Sequence, residues 1–200
     1  MNPPDWPALL SAILASPDDD TVRLVAADFL EENGAPDRAA LIRAQVELAR
    51  LETAAPAAPD DVWARRARID ELRSKERTFV GPLSTSHLFW AMEACPELVR
   101  VGTHLRVEGA ERLTWRRGFV ECVACPAAEW LKHGAAVRAR QPVRQVDLSG
   151  CDTVPRDEWY AHPDAVRGLP LLRVCGYAEG GSGEWLRQWL PGTRVEAGPL

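Results

Sequence analysis

The segments VRQVDL (residues 143–148) and LPLLRV (residues 169–174) share one pattern of apolar residues. Apolar side chains take positions one, four and six of each segment, and the second copy follows the first by 26 residues. The helical patterns that follow have the same offset, because EWY at 158–160 and EWL at 184–186 also lie 26 residues apart. Strand and helix patterns that recur in one register indicate repeated β–α units.

Further copies extend this pattern in both directions. VECVAC at 120–125 has the same apolar positions and is followed by EWL at 129–131, after a shorter connection. Leu190, Thr193 and Val195 form a last strand-like piece. Units of roughly 20–29 residues with this spacing are typical of leucine-rich repeats, which bury their apolar faces by stacking. Residues 113–200 are therefore predicted to form a short leucine-rich-repeat-like β–α solenoid with a parallel sheet. The alternative is an ordinary small α/β domain.

The first 54 residues are predicted to form a small helical domain. Asp5 can cap a first helix that ends before Pro17, and the acids at 18–20 can cap a second that closes at Asn33-Gly34. Pro36 opens a third helix. Three short amphipathic helices must pack their apolar stripes against each other. The stripe expected to be buried on the second helix comprises Val22, Val25, Ala26, Phe29 and Leu30.

Residues 55–112 are predicted to be a linker helix and a connecting region. A linker rich in Ala and Pro at 53–59 leads into a charged helix that runs from Asp60-Asp61 to about Arg77. Its apolar stripe is thin, so we expect much of its surface to be exposed. The apolar segment 88–92 is a core candidate, but the sequence does not predict the topology of residues 78–112.

Composition and charge restrict the functional class. The chain is 46% hydrophobic, which excludes a disordered protein, and its net charge is −5. The net acidity lies in the first 54 residues, which contain ten acids and four bases, so this part is poorly suited to grip phosphates. We expect no secretory signal and no membrane span. Five cysteines, an odd number that is clustered late, suggest reduced thiols and a cytoplasmic location.

No catalytic, cofactor or metal motif is recognised in the sequence. The acids at 18–20 lack the spacing of a calcium loop, so capping is the favoured interpretation. Cys122 and Cys125 form a C-x-x-C without the second pair that a zinc site needs, and we expect one of them to be buried and the other exposed. The glycine-rich segment 180–183 precedes a helix but lacks a P-loop lysine. We therefore predict no enzyme, no cofactor and no metal.

Two sets of residues are candidates for partner binding. Three tryptophans recur at one repeat position and either fill the gap between helix and sheet or form an exposed row for a partner: Trp130, Trp159 and Trp185. Four arginines near the predicted strand ends could form a basic patch for an acidic protein or a phosphate backbone, although a mixed, solvated rim is the favoured alternative: Arg116, Arg117, Arg140 and Arg144.

Two segments resemble a known family. The elements PDDD (17–20), RLVAADFLEENG (23–34), DRA (37–39) and IR (42–43) occur in the order seen in the repeat-companion domain of paralogous planctomycete and myxobacterial proteins. WRRGFVE (115–121) resembles the segment that commonly opens the repeats in those proteins. Phe29 stands where the family more often has Trp. The family has no established reaction, so the resemblance implies an architecture, a helical domain before degenerate repeats.

The sequence therefore favours a non-enzymatic protein-interaction or scaffold module that binds a partner through a concave sheet face or edge. The alternative is an accessory subunit that contacts nucleic acid through arginines of the middle and repeat regions. A third class, an enzyme that uses Cys125 or a histidine, is disfavoured by the absence of a convergent catalytic set. Neither the partner nor the oligomeric state follows from the sequence.

Overall fold

The computed structural model describes residues 5–54, 61–81, 84–101, 107–175 and 183–197. It has mixed α+β architecture, with a helical N-terminal region followed by a mostly parallel five-stranded sheet with helices. The chain divides into two compact units. One comprises Met1–Phe89 together with Trp115–Phe119, and the other comprises Trp90–Thr114 together with Val120–Leu200.

The first unit contains helices α1 to α4 and the beginning of α5. These helices are α1 (Trp6–Ala15), α2 (Asp20–Glu32), α3 (Pro36–Thr53), α4 (Asp61–Val80) and α5 (Thr85–Ala94).

The sequence signals explain most of the helix ends. The Asp19 side chain caps α2 by accepting the Thr21 N–H at 2.8 Å, and Gly34, at φ +82°, lies two residues before the proline that begins α3. Asp5 makes no capping hydrogen bond through its side chain, because its backbone is already helical there (φ −83°, ψ −16°). The cap predicted for α1 is therefore wrong.

Two apolar clusters hold the helices of this unit together. The larger one joins α1, α2 and α3 with Phe119, whose ring stacks at 6.4 Å from that of Trp6. Val25, predicted to be buried, is 49% exposed, because the side of α2 that packs inward carries Arg23 instead. The smaller cluster packs Leu72 of α4 against α3. The helical unit thus extends beyond residue 54, the boundary that the sequence predicts. The predicted linker lies largely outside the described residues.

Residues 115–119 belong to this unit through polar contacts as well. Arg117 (φ +49°) and Gly118 (φ +82°) form a two-residue turn in which both φ angles are positive, the geometry of a tight hairpin. The buried Gln45 amide donates to the Trp115 carbonyl at 3.0 Å and accepts the Gly118 N–H at 2.7 Å. The hairpin turn is therefore fixed to α3 by a side chain that satisfies its backbone.

The second unit contains the remaining helices and nearly all strand residues. The helices are α6 (Ala127–Arg138), α7 (Arg156–Ala161), α8 (Pro163–Val166) and α9 (Gly183–Trp189). The strands are β1 (Arg100–Val101), β2 (Val107–Glu108), β3 (Leu113–Arg116), β4 (Phe119–Pro126), β5 (Gln145–Ser149), β6 (Leu171–Val174) and β7 (Arg194–Ala197), and the large sheet has the order β3-β4-β5-β6-β7. Strands β4 to β7 are parallel.

The strand register shows how the sequence pattern is placed. Val146 pairs with Leu172, and Leu148 pairs with Val174, so the 26-residue offset is the pairing offset of β5 and β6. The register predicted for the last copy is wrong by two residues. Val195 takes position six of the predicted repeat and should pair with Val174, but it pairs with Leu172, at position four. A shift of two keeps a strand residue on the same face, so Val195 remains buried and the apolar pattern does not reveal the error.

Candidate functional site

One face of the sheet in the second unit is partly exposed. On β5, Val146 and Leu148 are buried while Gln145 and Asp147 are partly accessible, and β6 alternates in the same way. On β7 only Val195 is buried. The register brings the accessible residues into rows that cross the strands. One row joins Ala124 of β4 with Asp147, Arg173 and Glu196.

This charged row is paired within itself. The Arg173 Nε donates to Glu196 Oε2 at 2.8 Å, and Arg173 Nη1 lies 3.8 Å from Asp147 Oδ2. Arg194 also bonds Glu196, and Gln145 donates to Asp147 at 3.0 Å. The hydrogen bond from Arg173 lowers the pKa of Glu196 and raises that of Arg173 itself. Two acids and two arginines thus form a neutral, ordered and accessible polar surface.

A second surface, the aromatic–arginine cluster, lies on α7, α9 and the residue after α8. It consists of Arg156, Tyr160, Arg167, Trp185 and Trp189. The Tyr160 ring lies 5.0 Å from the Trp189 ring and 5.8 Å from the Trp185 ring, in T-shaped contacts, and the two indoles lie 6.0 Å apart. The Arg156 guanidinium lies 5.2 Å from the centre of the Trp185 ring, and that of Arg167 lies 5.4 Å from Trp189. Each is within the range of a cation–π contact.

A groove of about 410 Å³ lies between α6 and the segment that carries α7. Its rim includes Lys132, Glu158 and His162, and the His162 Nε2 lies 3.7 Å from Glu158 Oε2. The rest of the lining is mainly apolar: Ala128, Leu131, Val154 and Pro155, with Thr153. The volume is in the range of small-molecule sites, but the rim combines both charge signs and selects no ligand class.

The three predicted tryptophans have different surroundings. Trp130 and Trp159 have no exposed surface, and the Trp130 Nε1 donates to the Ala165 carbonyl at 3.0 Å. An exposed row of these two side chains is therefore wrong, because large aromatic rings are buried where helices pack. Trp185 is only partly buried and contacts Trp159 from outside, at 5.9 Å, so it alone of the three belongs to an accessible surface.

The four predicted arginines are divided between the two units. Arg116 and Arg117 belong to the first unit, whereas Arg140 and Arg144 belong to the second. Arg117 contacts Asp18 at 3.4 Å and Asp20 at 3.7 Å, and Arg140 is paired with Glu97. Arg116 is exposed and Arg144 half-buried. These ion pairs leave two of the four poorly suited to bind phosphates.

The cysteines of the C-x-x-C are both buried, so the expectation that one is exposed is wrong. Burial raises the pKa of Cys125 to about 12, and those of Cys95 and Cys151 equally. A thiol with so high a pKa is a poor nucleophile at neutral pH. Among the described residues, no group of three His, Cys, Asp or Glu side chains could hold a metal ion. Residues 180–182 of the glycine-rich segment lie outside the described residues. No described helix is long and apolar enough to cross a membrane.

Burial predicts a clear order of thiol reactivity. We expect Ellman's reagent at pH 8 to modify Cys175, which is partly exposed, first and the four buried cysteines far more slowly. All five react at once in guanidinium chloride. The variant C175S is expected to lose the fast phase. A fast phase that survives in C175S would show that a buried thiol is activated and would reopen the enzymatic alternative.

No protein-family model matches this chain, and neither a curated protein nor a solved structure is similar to it. The resemblance of its helical region to repeat-companion domains therefore stays a prediction. The geometry of the chain's own residues is the basis for a functional proposal.

Sequence reasoning missed most residues of both surfaces. The charged row occupies the positions between the apolar ones in the repeated strands, so the same pattern that predicted the buried residues could have identified it. The cluster has a weaker signal: Arg156 and Tyr160, like Trp185 and Trp189, are four residues apart and share a helix face. Nothing in the sequence shows that these two faces meet.

Proposed function

We propose that this protein is a non-enzymatic, cytoplasmic protein-interaction module. Its β–α units stack as a short leucine-rich-repeat-like solenoid, and the accessible face of β4 to β7 binds a protein partner. The charged row is the observation that carries this proposal. The three charged side chains of the row and the neighbouring Arg194 are held in fixed geometry on an accessible face, although exposed ion pairs add little to stability.

Other features support the same proposal. Stacked β–α units present extended surfaces with few grafted catalytic sites, and a row that crosses the strands can contact one partner at many points. Paired charges with defined positions provide specificity through complementarity rather than through apolar area. The resemblance of residues 10–45 to the repeat-companion domain favours an architecture of this type. The alternative, contact with nucleic acid, is less well supported because Arg117 and Arg140 are already paired with carboxylates.

Site-specific photo-crosslinking tests this proposal in the native host. A crosslinking amino acid at Ala124, an exposed member of the row, is expected to capture one protein reproducibly. The same amino acid at Ala136, an exposed residue of α6, is the matched control and is expected to capture none. The captured protein is then purified and its affinity for the full chain measured by calorimetry.

A charge exchange provides the decisive comparison. The fourfold variant D147R/R173E/R194E/E196R keeps an opposite charge in each of the three ion pairs but reverses the pattern that a partner meets. We expect unchanged thermal unfolding and at least about tenfold weaker binding, as for mismatched charges at an interface. Equal capture from Ala124 and Ala136, capture that nuclease abolishes, or full affinity of the fourfold variant would each contradict binding through this face.

A further inference from the structure

The aromatic–arginine cluster has the composition of a binding hot spot. Trp, Tyr and Arg are the residue types that dominate interface energies, and the cluster contains no other type. Tyr160 is 51% exposed, so its ring is not part of the core. Trp185 and Trp189 are partly exposed. A surface tyrosine and two indoles that are packed against one another lose little conformational freedom when a partner binds them.

The two arginines of the cluster differ from five other described arginines of the second unit. Within the described residues, no carboxylate lies within ion-pair distance of the Arg156 or Arg167 guanidinium, and both residues are exposed. Five other arginines of this unit are each paired with a carboxylate: Arg112, Arg140, Arg173, Arg187 and Arg194. A guanidinium that is oriented by a ring and lacks a counter-ion is prepared to bind a carboxylate from outside.

We propose that the aromatic–arginine cluster binds an acidic peptide segment of a partner protein. The segment places carboxylates on Arg156 and Arg167 and an apolar side chain against Tyr160 and the two indoles. This surface lies on the helices of the unit and not on the strand rows, so the proposal does not depend on binding through the sheet face.

The surrounding charges favour such a peptide over a nucleic acid. Asp157, Asp164 and Glu184 are exposed close in sequence to the cluster, and the chain as a whole has a net charge of −5. A continuous polyanion is repelled by such a neighbourhood, whereas single carboxylates can reach the two guanidinium groups between the acids. One face of each indole is also already covered by a guanidinium, which leaves less ring surface for stacked bases.

A peptide array and an NMR titration test this proposal with the full chain. On an array of synthetic heptapeptides of random composition, we expect the strongest binders to be enriched in Asp and Glu next to Leu, Phe or Tyr. Eight tryptophans give separate indole N–H signals, so the strongest binder is expected to shift those of Trp185 and Trp189 and not that of the buried Trp130. Replacing its acids by the corresponding amides is expected to abolish these shifts.

Variants of the arginines complete the test. The double variant R156Q/R167Q is expected to weaken binding at least about tenfold, since each charge-assisted hydrogen bond to a partner is lost. R66Q is the matched control, because Arg66 is an exposed residue of α4 that is already paired with Asp70, and the affinity of this variant is expected to be unchanged. The proposal is overturned if binders are not enriched in acids, if R156Q/R167Q binds as tightly as R66Q, or if only a single-stranded oligothymidylate shifts the two indoles.

Discussion

Replacement of Gly118 by alanine is expected to lower the free energy of unfolding of the helical unit by about 3–4 kcal/mol, from overpacking and from backbone strain together. A Cβ at this position lies 2.0 Å from Cγ1 of Ile42, and Ile42 has no exposed surface. The contacting atom is close to the backbone of α3 and cannot swing aside as the end of a flexible side chain would. Gly118 also has φ +82°, which an L-residue adopts only under strain.

Gly34 offers a matched control for the strain alone. Its φ is also +82°, but nothing lies within 4 Å of a Cβ built there. G34A is therefore expected to cost only about 1 kcal/mol. Urea unfolding of both variants, followed by circular dichroism at 222 nm, measures the difference. Equal losses for G118A and G34A would show that the hairpin turn and Ile42 of α3 move apart at little cost and that the hairpin is not tightly packed on this helix.

The elements that could be predicted from the sequence are those with local signals. Caps and prolines fix the ends of α2 and α3, and alternation of apolar residues places β5 and β6 and their offset. The coarse class, helices followed by a mostly parallel sheet, follows from these signals. The boundary of the helical unit does not, because the segment 115–119 joins it from a distance of many residues through Phe119 and Gln45.

The error at Val25 has a specific physical cause. A periodicity argument assigns apolar residues to the core and charged residues to the surface, yet Arg23 is fully buried and Val25 is 49% exposed. Burial of an arginine is tolerated only where enough acceptors surround it, and two of the three acceptors here are backbone carbonyls of a distant segment, while the third is the nearby Pro17 carbonyl. No local pattern in residues 20–32 contains that information.

The candidate surfaces could be predicted only in part for a similar reason. Trp185 recurs at one repeat position with Trp130 and Trp159, but recurrence cannot separate two buried rings from one accessible ring. The exposure of each ring depends on its tertiary neighbours. Trp185 contacts the rings of Tyr160 and Trp189, which are themselves accessible. The charged row depends on the pairing of β6 with β7. The predicted last repeat places Arg194 beside Arg173, whereas in the structure the strand is shifted by two residues and Glu196 lies there.

Arg23 is the centre of the other change for which we expect a large effect. Its Nη2 and Nε donate to the Pro17 carbonyl at 2.7 and 3.2 Å, and its Nη1 donates to the carbonyls of Arg116 and Arg117 at 3.3 and 3.1 Å. The guanidinium lies 5.3 Å from the centre of the Phe119 ring. One buried side chain thus donates to three carbonyls, from two segments that lie far apart in the sequence, and covers an aromatic face.

The variant R23M keeps most of the apolar stem and removes the donors. The three carbonyls then have no partner from this side chain in a site without solvent, so we expect a loss of about 3 kcal/mol in the free energy of unfolding. R50M is the matched control, because Arg50 also extends from a helix of this unit but its Nε pairs with Asp20 at 3.0 Å on the exposed surface. Its expected loss is at most about 1 kcal/mol.

Urea unfolding measures both variants, and hydrogen exchange locates the effect. The Gly118 amide donates a hydrogen bond to the Gln45 side chain. In R23M this amide is expected to exchange faster with solvent, since the hairpin turn loses its hydrogen bonds to Arg23. In R50M it is expected to exchange as in the parent chain. If R23M is no less stable than R50M, the carbonyls of Pro17, Arg116 and Arg117 are satisfied in another way, and Arg23 does not hold the turn. If instead R23M is destabilised and the Gly118 amide stays protected, Gln45 alone fixes the hairpin, and the loss belongs to the packing of α2.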